Sequence, residues 1–300
     1  MTRRIKIYFA LAFLLFVNKQ TEGQLSGTAT VQSTKLEQFI GPENGYLLIA
    51  GGDLDRSIAE KFISMLGDKN AKVVVITTAA EDELQNTNIY NQLKKLFIKA
   101  GAKDVEILNT RDTAVANSDK FLQPIKEAKG VWFIGGRQWR LVDAYSNTKV
   151  LKELNNLLDR GGVIAGNSAG ATIQGSFLVR GDSKTNLIMD GDHKEGFGFL
   201  KNSAIDQHLL VRNRQFDMFE IRKKYPDLLG IGIDEKTAII VHQNEFEVIG
   251  EKYVAIYDGK FLMENDTTIN LPSNTEKFYF LSPGDKYDLK KRQVIRVTKK

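Results

Sequence analysis

The chain has 300 residues, with 42 Lys+Arg against 37 Asp+Glu and no cysteine. A hydrophobic fraction of 42%, a charged fraction of 26% and only five prolines exclude a disordered, collagen-like or multi-span membrane chain. The lack of cysteine excludes disulfides, thiolate zinc sites, iron–sulfur clusters and a cysteine nucleophile, and leaves His193, His208 and His242 as the whole supply for imidazole chemistry.

Arg3, Arg4 and Lys6 precede an apolar run from Ile7 to Val17, too short to span a bilayer. Thr21 and Gly23 are small residues where a signal peptidase reads, so residues 1–23 are expected to be a signal peptide and the protein to be exported, periplasmic or extracellular. No cysteine follows, which excludes a lipoprotein anchor; the cleavage site lacks the Ala-x-Ala form, so an uncleaved anchor stays open, and a buried N-terminal helix is the plainer alternative. Without residues 1–23 the net charge falls from +5 to +2, because Arg3, Arg4, Lys6, Lys19 and Glu22 leave together. No long basic stripe interleaved with aromatics is present, so neither a nucleic-acid partner nor stable membrane association after leader removal is expected. The basic residues near the end, Lys290, Lys291, Arg292, Lys299 and Lys300, read as a solvated edge or tail.

Residues 24–43 are polar and read as a linker. Strands are then expected at Tyr46 to Ala50, Lys72 to Thr78, Val105 to Leu108, Gly130 to Ile134 and Val163 to Ala165. Helical spacing is expected at Arg56 to Leu66, Asn88 to Ala100 and Val150 to Leu158. This alternation predicts an α/β fold, a mostly parallel sheet flanked by helices, over residues 44–250. From about residue 230 short strands follow one another, so residues 251–300 are expected to form a β-rich C-terminal extension of the same domain.

Gly166-Asn167-Ser168-Ala169-Gly170 matches G-x-S-x-G between a predicted strand and a helix-compatible run. In that context the backbone must turn sharply, and Ser168 projects its hydroxyl while the amides after it face developing negative charge. The plainer reading is a glycine-rich turn with an incidental serine. A serine hydroxyl needs a base, and His208, at the end of a short apolar segment, is better placed than His193 in a Gly/Asp loop or His242 with no acid beside it. The orienting carboxylate stays open among Asp182, Asp190, Asp192 and Asp206. Gly135-Gly136 offers a second oxyanion donor with Gln138 near substrate, or is a plain turn. Arg212 and Arg214 suggest a clamp for an anionic group, or an exposed helix start. Asp190, Asp192, His193 and Glu195 match no cation-loop spacing, so no metal and no cofactor is expected.

Together these residues resemble the cyanophycinase and peptidase E (aspartyl dipeptidase) family of serine peptidases. The resemblance rests on Gly51-Gly52, Gly135-Gly136-Arg137-Gln138, Gly166 to Ala171, Asp206-Gln207-His208 with Arg212 and Arg214, Leu229 to Glu235, and Leu281-Ser282-Pro283-Gly284-Asp285. It implies a fold like class I glutamine amidotransferases, with Ser168 as nucleophile and His208 as base. It further implies Gly136 and Ala169 as oxyanion donors, Asp182 as the acid with Asp190 still open, and Gln138, Asp206, Gln207, Arg212 and Arg214 lining the pocket. The substrate class it implies is a peptide or isopeptide carrying aspartyl groups, of β-aspartyl-arginine type. The chain departs from cyanophycinases at Asp217, near where they carry a further Arg, and in the stretch Arg180 to Glu195. Two rivals are a non-catalytic binding protein for aspartyl peptides on the same fold and a serine esterase; a homodimer is left open.

Overall fold

The computed structural model describes residues 39–68, 70–263, 267–272 and 275–295. The expected leader, most of the expected linker and the terminal Lys299 and Lys300 lie outside the described residues. In the first half strands and helices alternate: β1 (Tyr46–Ala50), α1 (Arg56–Met65), β2 (Lys72–Ile76), α2 (Thr87–Lys99), β3 (Asp104–Leu108), α3 (Thr113–Ala116), α4 (Asp119–Glu127), β4 (Gly130–Phe133), α5 (Gln138–Tyr145), α6 (Lys149–Asp159), β5 (Val163–Asn167) and α7 (Ala169–Thr172). The second half is mainly strand: β6 (Gly175–Phe177), β7 (Leu200–Gln207), α8 (Met218–Lys224), β8 (Leu229–Ile233), β9 (Thr237–His242), β10 (Glu245–Gly250), β11 (Val254–Tyr257), β12 (Lys260–Leu262), β13 (Thr268–Asn270), β14 (Tyr279–Leu281), β15 (Lys286–Asp288) and β16 (Gln293–Ile295).

The main sheet runs β16-β15-β10-β9-β1-β5-β4-β2-β3. From β1 to β3 every pair is parallel, and from β1 outward through β9 every pair is antiparallel. The short apolar runs explain the parallel half. Val74, Ile76, Val131, Phe133 and Ile164 face one core, and their neighbours Val73, Val75, Trp132, Val163 and Ala165 face the other. Strands buried on both faces need no polar alternation. The second core closes on α1 and α2, where Phe62, Phe97 and Trp132 meet edge to face with centroids 5.3 to 6.3 Å apart. α1 starts where Asp55 accepts from the amides of Ser57 and Ile58, a cap that contributes about 1 kcal/mol.

A second sheet, β14-β11-β8-β7-β6, carries β6, β7 and β8 in parallel. Its Ile205, Ile231 and Ile256 share the first core with the main sheet. The C-terminal strands are therefore divided: β15 and β16 widen the main sheet, whereas β11 and β14 complete the second.

Candidate active site

The parallel strand β5 ends at Asn167, and Ser168 stands at φ 55°, ψ −114°, directly before the one-turn helix α7. A positive φ is uncommon for serine and costs about 1–3 kcal/mol, so the surroundings must hold it. They do so by crowding. A Cβ at Gly166 would lie 2.3 Å from Gly170 O, and one at Gly170 would lie 2.1 Å from Phe133 O. Only glycine lets the elbow close this tightly on itself and on β4.

The turn after β1 braces the site with three successive carbonyls. Ala50 O accepts from Ser168 N (3.1 Å), Gly51 O from His208 N (2.7 Å), and Gly52 O from Asn167 Nδ2 (3.2 Å). Asn167 in turn accepts from Trp132 Nε1 (3.0 Å), which ties the elbow to the aromatic core. The Gly51-Gly52 motif is thus a shared mount for the serine and histidine segments.

His208 follows β7 and is buried, also with a positive φ of 53°. Its Nε2 lies 2.9 Å from Ser168 Oγ, and its Nδ1 lies 2.7 Å from Glu235 Oε1. A carboxylate only accepts, so Nδ1 carries the proton and Nε2 is free to accept from the serine hydroxyl. Burial pushes the imidazole below its ordinary pKa; the Glu235 hydrogen bond opposes this, and the Arg212 charge assists it. Asp234, beside Glu235, accepts from Leu210 N and Val211 N and shapes the turn after His208.

Glu235 corrects the expectation of Asp182. The Asp182 carboxylate accepts from Lys184 N and Thr185 N, closing its own turn. Asp190 is occupied by Lys194, Lys224 and Tyr225, and Asp192 by Ser183 and His193. The reason is topological. β7 and β8 are parallel with Gln207 opposite Ile233, so the residues just beyond each strand emerge side by side. The signal was in the sequence, since Glu235 ends the Leu229 to Glu235 motif, but an acid sought only between serine and histidine misses it.

The residues expected to line a pocket separate into two groups. Asp206 is fully buried, with both oxygens 2.9 Å from Arg180, whose Nη2 also reaches Asp217. Arg214 is buried and donates to Gln207 O and Oε1. Gln138 is buried and spends its amide nitrogen on the carbonyls of Val179 and Arg180. These four form a network behind the site, and Asp206 in particular is a counter-ion for Arg180 rather than a pocket wall. Arg212 alone of the set is exposed, and its charge reaches His208. Arg180 was not singled out for binding in the sequence; one buried guanidinium in a loop carries no pattern.

Gly136 has φ 140°, and a Cβ there would lie 2.0 Å from Ala79 O. Gly135 beside it packs against Ser168. Among the described residues no carbonyl accepts from the amides of Gly136 and Ala169. His242 instead stacks on Tyr46 with centroids 4.4 Å apart. Among the described residues no group of three or more His, Cys, Asp or Glu side chains is arranged to hold a metal ion, and no helix is long and apolar enough to cross a membrane.

A serine at a strand-to-helix elbow, hydrogen-bonded through an imidazole to a carboxylate on an α/β sheet, has the form of a serine hydrolase site. The sequence model of peptidase family S51 matches residues 46–249. The chain is 30% identical over 263 residues to a cyanophycinase of Trichormus variabilis, covering 83% of this chain and 87% of that one. It is 27% identical over 264 residues to a cyanophycinase of Geminocystis herdmanii, covering 83% and 95%. A crystal structure of a peptidase from an acI-B1 Actinobacterium superposes with a TM-score of 0.60 at 23% identity, over 83% of this chain and 98% of that one, which shows a shared fold. The chain belongs to peptidase family S51 and is a serine-type peptidase.

Proposed function

We propose that the chain is an exopeptidase that hydrolyses aspartyl peptide or isopeptide bonds, of β-aspartyl-arginine type, through an acyl-enzyme. The observation that carries this is the hydrogen-bonded series Ser168 Oγ, His208 Nε2, His208 Nδ1, Glu235 Oε1, at 2.9 and 2.7 Å. Ser168 Oγ attacks the scissile carbonyl as its proton passes to His208 Nε2. Glu235 stabilises the imidazolium and holds the ring in register. The amides of Gly136 and Ala169 receive the oxyanion. The imidazolium then protonates the leaving amine, and water repeats the sequence on the ester, returning the proton to Ser168.

The substrate class rests on the relatives named cyanophycinases and on Arg212, an exposed guanidinium whose charge is felt at His208 and which suits a substrate carboxylate. Export is part of the same proposal and rests on residues 1–23; N-terminal sequencing of protein recovered outside the cytoplasm, expected to begin after Gly23, tests it. Purified protein is to be incubated with cyanophycin and a panel of α- and β-aspartyl dipeptides, with products read by mass spectrometry. Release of β-aspartyl-arginine, lost in Ser168→Ala, is expected. Turnover of simple esters above every peptide would favour an esterase, and binding without turnover a non-catalytic receptor.

A further inference from the structure

The second histidine sits in an arrangement of its own. His193 lies in the long connection between β6 and β7, residues 178–199. Its Nδ1 is 2.8 Å from Asp192 Oδ1 and its Nε2 is 2.9 Å from Asp143 Oδ1 on α5. The groups facing the ring are these two carboxylates, one from its own loop and one from the helix, and the indole of Trp139 from the same helix, tilted at 6.0 Å between centroids. The neighbouring Lys194 is turned to Asp190 instead.

Carboxylates accept and do not donate, and a neutral imidazole has one N–H. Both contacts can therefore be hydrogen bonds only when His193 is an imidazolium. When the proton leaves, one nitrogen faces a carboxylate with lone pair against lone pair. Asp192 is adjacent in sequence and is held by the amide and hydroxyl of Ser183, so it keeps the remaining N–H. The contact that fails is the one to Asp143, which joins the loop to α5.

That loop and that helix shape the reacting centre. α5 begins two residues after Gly136. Arg137 donates to Asp182 O, and Gln138 donates to Val179 O and Arg180 O. Arg180 in the same loop neutralises Asp206 at the end of β7, two residues before His208.

We propose that His193 is a pH-operated positioning residue, whose imidazolium latches the 178–199 loop to α5 through Asp143 and whose neutral form loosens this support behind the substrate site, leaving the Arg137 and Gln138 bonds to tie loop and helix. The two carboxylates hold the His193 pKa above its ordinary value against the opposing effect of burial. A raised pKa places the latch contribution fully below the ordinary histidine value and removes it as pH rises through the folded value. His208 is shifted the opposite way and acts as a base above its lowered value. The two histidines therefore bracket a working range, His208 through kcat on the acid side and His193 through KM on the alkaline side. This kinetic consequence rests on the function proposed above; the latch does not.

Two measurements on the full-length protein test it. In the first, the three histidines are titrated by NMR in wild type and Asp143→Asn. His193 is expected to titrate above the ordinary histidine value in wild type and lower in Asp143→Asn. Tryptic cleavage after the exposed Lys184, normalised at each pH to an unfolded peptide, is expected to rise through the same pH in wild type and to be high throughout in Asp143→Asn. A His193 that titrates at or below the ordinary value, or cleavage that does not follow it, overturns the latch whatever the protein hydrolyses. In the second, KM and kcat for a β-aspartyl dipeptide are followed with pH. KM is expected to rise about two- to fivefold across the His193 transition, the span a partly exposed ion pair transmits, with kcat unchanged. His193→Gln is expected to show the high KM at all pH. A wild-type KM that is flat with pH, while the NMR transition is present, overturns the positioning role and leaves the latch.

Discussion

The serine side and the histidine side of the centre are held in place by different physics. Ser168 is fixed by backbone: a parallel strand, an elbow closed by Gly166 and Gly170, and carbonyls from the turn after β1. Apart from His208 itself, its mount consists of backbone groups, glycines and the neutral amide of Asn167. His208 stands on the second sheet amid charge: Glu235 on its ring, Asp234 on its turn, and behind β7 the buried Asp206, Arg180 and Arg214 with the half-exposed Asp217. Steric constraint is indifferent to pH and salt, whereas ion pairing is not. Solution conditions should therefore act on the base and its supports far more than on the nucleophile.

The largest expected effects test that division at the reacting groups. Ser168→Ala should lower kcat by about 10⁴-fold or more on a β-aspartyl dipeptide, with little change in melting temperature. Ser168→Gly should be equally inactive yet more stable by about 1 kcal/mol in a denaturant melt, because glycine tolerates the positive φ. A destabilised Ser168→Gly would show that the elbow is not strained.

Next comes the carboxylate. Glu235→Gln removes the acceptor that fixes the tautomer and should lower kcat by about 10²- to 10⁴-fold, the upper end being that of a fully buried triad acid and Glu235 being partly exposed. Asp182→Asn should stay within about threefold. Reversal of that order would return the role to Asp182.

On stability, Arg180→Met strips the buried Asp206 of its bidentate partner, leaving only Arg214 at 3.8 Å, and should cost up to about 3–5 kcal/mol. Replacing Asp206 by Leu in the same chain should recover most of it, as a double-mutant cycle would show. If Arg180→Met melts like wild type, the histidine side does not depend on charge as described.

The smallest effect is electrostatic. His208 is held below its ordinary pKa chiefly by burial and in part by Arg212, so kcat/KM should fall on the acid side only below the usual histidine range. The same shift contributes stability that is present above the unfolded value and is lost as pH falls through the folded one. Arg212→Ala should move that acid limb upward toward the ordinary value, read from a pH–rate profile. A downward movement would contradict the proximity of the two charges.

Sequence patterning reached the serine side more completely than the histidine side. Short β-branched runs predicted the parallel strands, and G-x-S-x-G between strand and helix singled out Ser168, because both signals are local. His208 was legible as a polar residue at a strand end. Glu235 was legible only as the last residue of the Leu229 to Glu235 motif; its role was not, because its partnership depends on β7 and β8 lying side by side in a sheet that no local pattern announces. Helices α4 and α5 were missed too: α4 carries Pro124 inside it, and α5 follows a glycine pair and is only eight residues long. The strands after residue 230 were anticipated, but their division between two sheets was not, since strands of three to six residues do not encode which edge they join.

The consecutive carbonyls of Ala50, Gly51 and Gly52 have a mechanical consequence. Because one short stretch of chain supports the segments bearing both Ser168 and His208, thermal excursions of that stretch carry the two in step. The gap a proton must cross then fluctuates less than either residue does relative to the rest of the molecule.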